Sequence, residues 1–534
     1  MIKKYLLGEL RMTRIKLILF TIICSLLCSC SSSKGKTTIE IFETDSGITI
    51  NFFLAQPRSS IHFNEPGYIN PSAKIKSSSG RIENGYLKFE NPKSEFQLSI
   101  ELDAKEENSV YPLLTKVSQN SYVLYAPPVF PNDQFSSIVY TNLAGTQTKF
   151  QKSHNLDGYL FLGANPEISE NFDWVRGASL SDEFNQELFT FTDEILTYYS
   201  EKMSNLKNYK PLIIVSSKTS EKSFNRGDTT KNGVIFLRYH FPVNKEPEKK
   251  LTSLSKDFIA HELFHLWTPK AAEKSSNWWI HEGAAEYASW LATSSLSESD
   301  LLIKEKIEKA FNNCSNMLRH LSIEDAIGSI KNASRYTCGA FMNWLATDSY
   351  KKSNGKTEFH FWRELWKNPQ EELELRTKLN RILETTNNNI LDTIDIIVSG
   401  HGTKRWDKVL NQFNKQGAEF DKKTPPIFSL QIAATQALVL SACGELFGVG
   451  INEENRLYAI SSCDPFKSSP VIISVDGIDP IIETQKYIDY TTEACIKNEE
   501  VNMVLLDGEE EIPFSKICNT AVQQPPTQIK LNRL

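Results

Sequence analysis

The stretch "HELFHLWTPKAAEKSSNWWIHEGAAEY", residues 261–287, sets two histidines four positions apart and follows them with a glutamate beside a glycine. On a helix, residues four apart share one face, so His261 and His265 can aim their rings at one point. Glu262 projects beside that point. A catalytic zinc needs this arrangement: neutral imidazoles as ligands, and a carboxylate able to take a proton from water whose pKa zinc brings toward about 7. Such a site keeps three protein ligands and one open position. Pro269 prevents smooth continuation of the first helix. The segment "WWIHEGAAEYASWLA" (278–292) then reads as a second helix that can pack antiparallel and present Glu282 as the third ligand. Glu286 lies on the same face, placed to accept a hydrogen bond from a ligand histidine's other nitrogen and so fix its orientation. One zinc ion per chain is expected. The bare pattern also occurs on helices that hold no metal, and His154, His240, His281, His320 and His401 read as ordinary polar residues.

Outward from this centre, the chain of 534 residues is long enough for two to four domains. With 40% hydrophobic residues and a net charge of -6, it is globular and mildly acidic, without the basic footprint of a nucleic-acid binder. The N-terminus carries Lys3, Lys4, Arg11, Arg14 and Lys16 ahead of "LILFTIICSLL" (17–27), the pattern of an export signal. Its end, "LCSC" (27–30), resembles a bacterial lipobox. That resemblance implies a lipoprotein signal peptide over 1–29, lipidation of Cys30, a tether over 30–36, and an exported chain anchored to a membrane of the cell envelope. A plain secretory signal is the alternative. The six later cysteines, Cys314, Cys338, Cys443, Cys463, Cys495 and Cys518, suit disulfides in an oxidising compartment. Their pairing is open, since the last four alone allow three connectivities.

Strand-like runs between Gly, Pro, Asn and Ser breaks ("IEIF", "ITINFFLA", "FQLSIEL", "SYVLYAPP") predict a β-rich N-terminal domain over 37–165. A helix over "DEFNQELFTFTDEILTYYSEKM" and strands over "PLIIVSS" and "NGVIFLRYHF" lead into a mainly helical region, 255–412, with apolar residues at three-and-four spacing. After "KKTPP" (422–426) the runs "LQIAATQALVL", "LYAIS", "PVIISVDG" and "VNMVLLDG" predict short strands again. The fold class is multidomain α+β, with a catalytic domain over 166–420 and a β-rich module over 427–525.

"HELFHLW" followed by "WWIHEGAAEY" resembles the gluzincin metallopeptidases, above all the glycyl aminopeptidase family, and next the aminopeptidase N and leukotriene hydrolase family. The resemblance implies a thermolysin-like catalytic domain and hydrolysis of peptide bonds, with a peptide or protein as substrate. It also implies that Tyr336, in "YTCGAFMNWL" (336–345), donates a hydrogen bond to the oxyanion; by itself Tyr336 would read as a structural aromatic. "IVSGHGTKRWDKVLNQF" (397–413) is similar to the close of the glycyl aminopeptidase catalytic region, and the last module looks like a divergent PDZ domain.

Departures are equally specific. Leu263 stands where the family pattern has an aromatic. The segment "NRGDTTKNGVIFLRY" (225–239) lacks the glutamate with which these aminopeptidases anchor a free amine; Asp228 is its sole acid. The strand at 232–239 is still expected to offer an edge for an extended peptide. The zinc chemistry does not depend on that anchor. The leading expectation is an aminopeptidase-like zinc metallopeptidase; an endopeptidase on extended or glycosylated chains and an inert peptide-binding lipoprotein are the alternatives.

Overall fold

Apolar residues at every second position pair the strand Thr37–Thr44 with Gly47–His62, setting Ile41 opposite Ile50 with both side chains fully buried. The computed structural model describes residues 37–533 except 64–74, 103–111, 131–134, 151–155, 205–209, 221–223, 231, 243–250, 269–277, 298, 320, 327–333, 368–374, 387–389, 445–447, 453 and 524. The expected signal peptide, Cys30, the tether and the reversal at Pro269 lie outside the described residues. Those described form two compact units, one drawn from residues 1–180 and 211–247, the other from 181–210 and 248–534.

In the first unit, Thr37–Thr44 and Gly47–His62 belong to a seven-stranded sheet. Its core of Ile39, Ile41, Ile50, Phe52, Leu98 and Ile100 extends to Leu124 and Leu160 of a three-stranded sheet. Glu43 is buried between these sheets because it accepts hydrogen bonds from Tyr122 Oη at 2.6 Å and Tyr140 Oη at 3.3 Å. A five-stranded sheet completes the unit. Asp173–Val175, Leu212–Ser220 and Val234–Pro242 run parallel in it, and Phe224–Thr229 lies antiparallel at one edge. The strand at 232–239 is therefore not the expected edge: Val234–Pro242 is paired on both sides, and Phe224–Thr229 is the terminal strand of the sheet on that side.

The second unit is mainly helical up to residue 415. Helix α1 (Asp182–Met203) is capped by Ser181, whose side chain accepts from the amide of Phe184. It packs on α2 (Ser253–Phe264), and α2 on α3 (Trp278–Leu296), with α4 (Asp300–Leu318) and α5 (Ser334–Asn354) following. A mixed module ends the chain: a five-stranded sheet from Gly448 to Ile517, the helix Thr484–Lys497, and α6 (Ile427–Cys443).

Helix α6 overturns the strand expected at "LQIAATQALVL". It is buried nearly all round, so it shows no polar face from which a helical period could be read. Its ends carry helix signals nonetheless: Pro426 at the start, and Gly444 in the left-handed conformation (φ 73°) at the close. Arg319, at the end of α4, donates to Gln436 Oε1 and to the carbonyl of Ser429, tying α6 to the helical region. Glu419–Lys423 pairs with Gln528–Arg533, and Asn312 of α4 exchanges two hydrogen bonds of 2.9 Å with the backbone of Ile529. Three disulfides select the pairing that sequence left open: Cys314–Cys338, Cys443–Cys463 and Cys495–Cys518. Among the described residues no helix is long and apolar enough to cross a membrane.

Candidate metal centre

Helix α2 starts at Thr252, whose hydroxyl accepts from the Ser255 amide, and turns Ile259, Ala260, Leu263 and Phe264 into the core. Tyr199 of α1 donates its hydroxyl to the Ala260 carbonyl at 3.1 Å and packs its ring on Phe264. Asp257 holds the neighbouring helices, accepting from Thr293 of α3 and Lys306 of α4. The α-helical ladder ends at Phe264, and residues 265–268 continue in tighter turns.

This scaffold brings His261, His265 and Glu282 together. Nε2 of His261 lies 3.2 Å from Nε2 of His265 and 3.2 Å from Oε2 of Glu282; Nε2 of His265 lies 3.6 Å from the same oxygen. Tetrahedral bonds of about 2.0–2.1 Å would separate ligand atoms by roughly 3.3–3.4 Å. The three donors thus fit a zinc ion in both chemistry and spacing. Glu286 Oε2 meets Nδ1 of His261 at 3.1 Å, and Glu286 Oε1 accepts from Trp290 Nε1 at 3.2 Å. Glu262 is buried on α2, and its charge reaches Tyr336.

Electrostatics divide the two histidines. Burial opposes charge on His261 most strongly, but hydrogen bonds and charges of Glu282 and Glu286 outweigh it and raise its pKa to about 10. Burial likewise dominates at His265 and lowers its pKa, so this ring stays neutral. Burial disfavours ionised Glu282, yet hydrogen bonds from His261, His265 and His281 hold its carboxyl well below the usual range. Glu286 is also lowered, its burial outweighed by His261. Without metal, a proton on His261 balances part of this negative charge; metal binding must displace it.

Tyr336 enters from the first turn of α5, its ring 5.7 Å from that of His261. Burial first, and then the charge of Glu282, push its pKa up to about 12, so it remains a donor at neutral pH. Its placement follows from two glycines. A Cβ on Gly283 would meet backbone atoms of Gly339, which is how α3 and α5 come into direct backbone contact. Asn343 spans the same contact, donating to the carbonyls of Gly339 and Ile280.

Four residues at the site were not singled out from sequence. His281, expected to be an ordinary polar residue, is buried and stacks on His265 with ring centres 4.4 Å apart. Its Nε2 lies 2.7 Å from Thr268 Oγ1, which in turn lies 3.4 Å from Nδ1 of His265. Trp290 holds Glu286, and Arg335 holds Tyr336. Only adjacency to the motif could have drawn attention to His281 and Arg335. Asp228, in the first unit, has its carboxylate engaged by Arg238 at 2.6 Å and Tyr159 Oη at 3.1 Å.

No protein-family profile matches the chain, and no curated protein matches it in sequence. Solved structures do match. A crystal structure of an aminopeptidase N family protein from Idiomarina loihiensis aligns over 93% of this chain and 98% of its own, with a TM-score of 0.60 and 10% identity. Legionella pneumophila aminopeptidase A in complex with aspartic acid aligns over 93% of this chain and 58% of its own (TM-score 0.42, 10% identity). Yeast LTA4 hydrolase aligns over 76% and 72% (TM-score 0.37, 12% identity). At these identities the likeness is one of fold, and the first alignment alone is strong enough to carry it: the chain shares the overall fold of the aminopeptidase N family protein.

Proposed function

We propose that the chain is an exported zinc metallopeptidase that hydrolyses peptide bonds in an aminopeptidase-like catalytic framework. The spacing of the His261, His265 and Glu282 donor atoms carries this reading. Zinc, when bound by these three, supplies a Lewis acid and lowers the pKa of water toward neutrality. Glu262 takes a proton from the attacking water and passes it to the leaving amine. Tyr336 donates a hydrogen bond from its hydroxyl, without losing the proton, to the oxygen that gains negative charge. Glu286 fixes the tautomer and orientation of His261.

The resemblance to glycyl aminopeptidases, the PDZ-like character of residues 427–525 and anchoring through a lipidated Cys30 belong to the same reading. Three disulfides suit an oxidising, exported setting. One observation favours cleavage within chains over removal of N-terminal residues. Asp228, the acid nearest to the missing amine anchor in sequence, already serves a buried ion pair.

Incubating zinc-loaded protein and Glu262→Gln with a mixed peptide library, and reading products by mass spectrometry, tests the assignment. The variant is expected to retain zinc and lose roughly 10²–10⁴ of the rate. Full activity in Glu262→Gln would sink the assignment. Stepwise loss of N-terminal residues would identify an aminopeptidase and internal cuts an endopeptidase; no cleavage under any metal condition would leave a peptide-binding protein.

A further inference from the structure

We propose that Arg335 is a positioning residue that directs the Tyr336 hydroxyl toward the carbonyl oxygen under attack. This rests on the peptidase reading above. Arg335 Nη2 donates to Tyr336 Oη at 3.0 Å. Its guanidinium lies 4.3 Å from the ring centre of Trp278 and 4.8 Å from that of Tyr336. Arg335 and Tyr336 belong to the first turn of α5, whereas Trp278 opens α3, the helix carrying Glu282. The guanidinium therefore bridges the helix of the third candidate ligand and the helix of the oxyanion donor.

The direction of the hydrogen bond decides the consequence. A phenol has one proton and accepts through its lone pairs. With the arginine donating, the tyrosine's own proton must point elsewhere, and the nearby cation polarises the O–H bond so that it donates more strongly to a developing anion. Arg335 Nε is buried without an acceptor among the described residues, so the aromatic stack orients the guanidinium. The first turn of a helix has amide groups without intrahelical acceptors and frays readily. A clamp there has a mechanical purpose, and the Cys338 tether to Cys314 lies two residues beyond Tyr336.

The test is a double-substitution cycle on a peptide that the wild type cleaves, reading kcat and KM separately for Arg335→Ala, Arg335→Lys, Tyr336→Phe and the double variant Arg335→Ala/Tyr336→Phe. Arg335→Ala is expected to lower kcat about 10- to 100-fold with KM changed less than about threefold, and Arg335→Lys to recover part of it. In the Tyr336→Phe background, Arg335→Ala should have little further effect. Equal losses in both backgrounds, or a loss confined to KM, would overturn the proposal and leave Tyr336 as the oxyanion donor. Full kcat in Tyr336→Phe would overturn the oxyanion role itself. A readout independent of turnover is the ¹³Cζ resonance of Tyr336, identified by its absence in Tyr336→Phe. It should shift in Arg335→Ala and stay near its place in Arg335→Lys; an unmoved resonance in Arg335→Ala would refute the contact.

Discussion

Gly283 and Gly339 touch backbone to backbone: a Cβ on Gly283 would stand 2.1 Å from the carbonyl carbon of Gly339, and one on Gly339 would stand 2.4 Å from the carbonyl oxygen of Trp279. No rotamer change relieves a collision with backbone, so α3 and α5 would have to separate. Gly283→Ala or Gly339→Ala is expected to cost about 1–3 kcal/mol, the usual range for overpacking a dense interior. Urea unfolding measures the loss. Because the same contact sets the distance from Tyr336 to the histidines, kcat should fall more than zinc affinity does.

These glycines show why part of the site was legible in sequence and part was not. His261 with His265, and Glu282 with Glu286, are linked by a four-residue helical spacing that a linear sequence displays directly, and Glu262 sits inside the same motif. Tyr336 stands far along the chain, and no local period connects it to them; only the family resemblance pointed there. His281 and Arg335 meet their neighbours through ring stacking and side-chain hydrogen bonds, interactions that leave no spacing signature. The fold followed the same division. Alternation exposed the N-terminal strands, and the 3.6-residue period exposed α1 and α4, whereas α6 lost its period by being buried on nearly every side.

Glu286→Gln should keep the fold and weaken zinc binding about 10- to 100-fold, the effect expected when a carboxylate orienting a ligand histidine is neutralised. Trp290 Nε1 can only donate and so claims the amide oxygen, which turns the NH2 toward Nδ1 of His261 and favours the tautomer with its proton on Nε2, the atom zinc needs. Competition with a fluorescent chelator measures the change, and an unchanged affinity would remove Glu286 from the supporting shell.

The zinc-free protein should lose stability as the medium becomes alkaline. His261 has its pKa raised to about 10 in the folded state, against about 6.5 unfolded. Its contribution is complete below about pH 6.5 and disappears as the pH rises through about 10. Glu282 and Glu286 are lowered; their contributions hold above about pH 4.5 and are lost on acidification. The melting temperature of chelator-treated protein should therefore fall between pH 7 and 10. That slope should be weaker with zinc bound, because the ring is then already deprotonated. Calorimetry in two buffers at pH 7 should find release of about one proton on zinc binding.

Replacing Cys314 and Cys338 together by alanine should lower stability by about 3 kcal/mol, since their bridge closes a loop with a sequence separation of 24. It joins α4 to the start of α5, so activity should fall through the placement of Tyr336. Zinc content per chain should not change, as none of the three candidate ligands lies on either helix.

Asp228 offers the sharpest separation of structural from substrate-binding roles. Its carboxylate pairs with Arg238, whose side chain is 1% exposed, and accepts from Tyr159. Asp228→Asn would remove a counter-charge from a buried guanidinium, at a cost of about 3–5 kcal/mol. Urea unfolding should show that loss. If Asp228 is purely structural, the ratio of kcat/KM for a free-amine peptide to that for its N-acetylated form should be the same in variant and wild type. If Asp228 instead holds a substrate amine, the ratio should collapse toward one in the variant, because only the free-amine peptide would lose its partner. An unchanged ratio together with the stability loss would assign Asp228 to the sheet and strengthen the case for cleavage within chains.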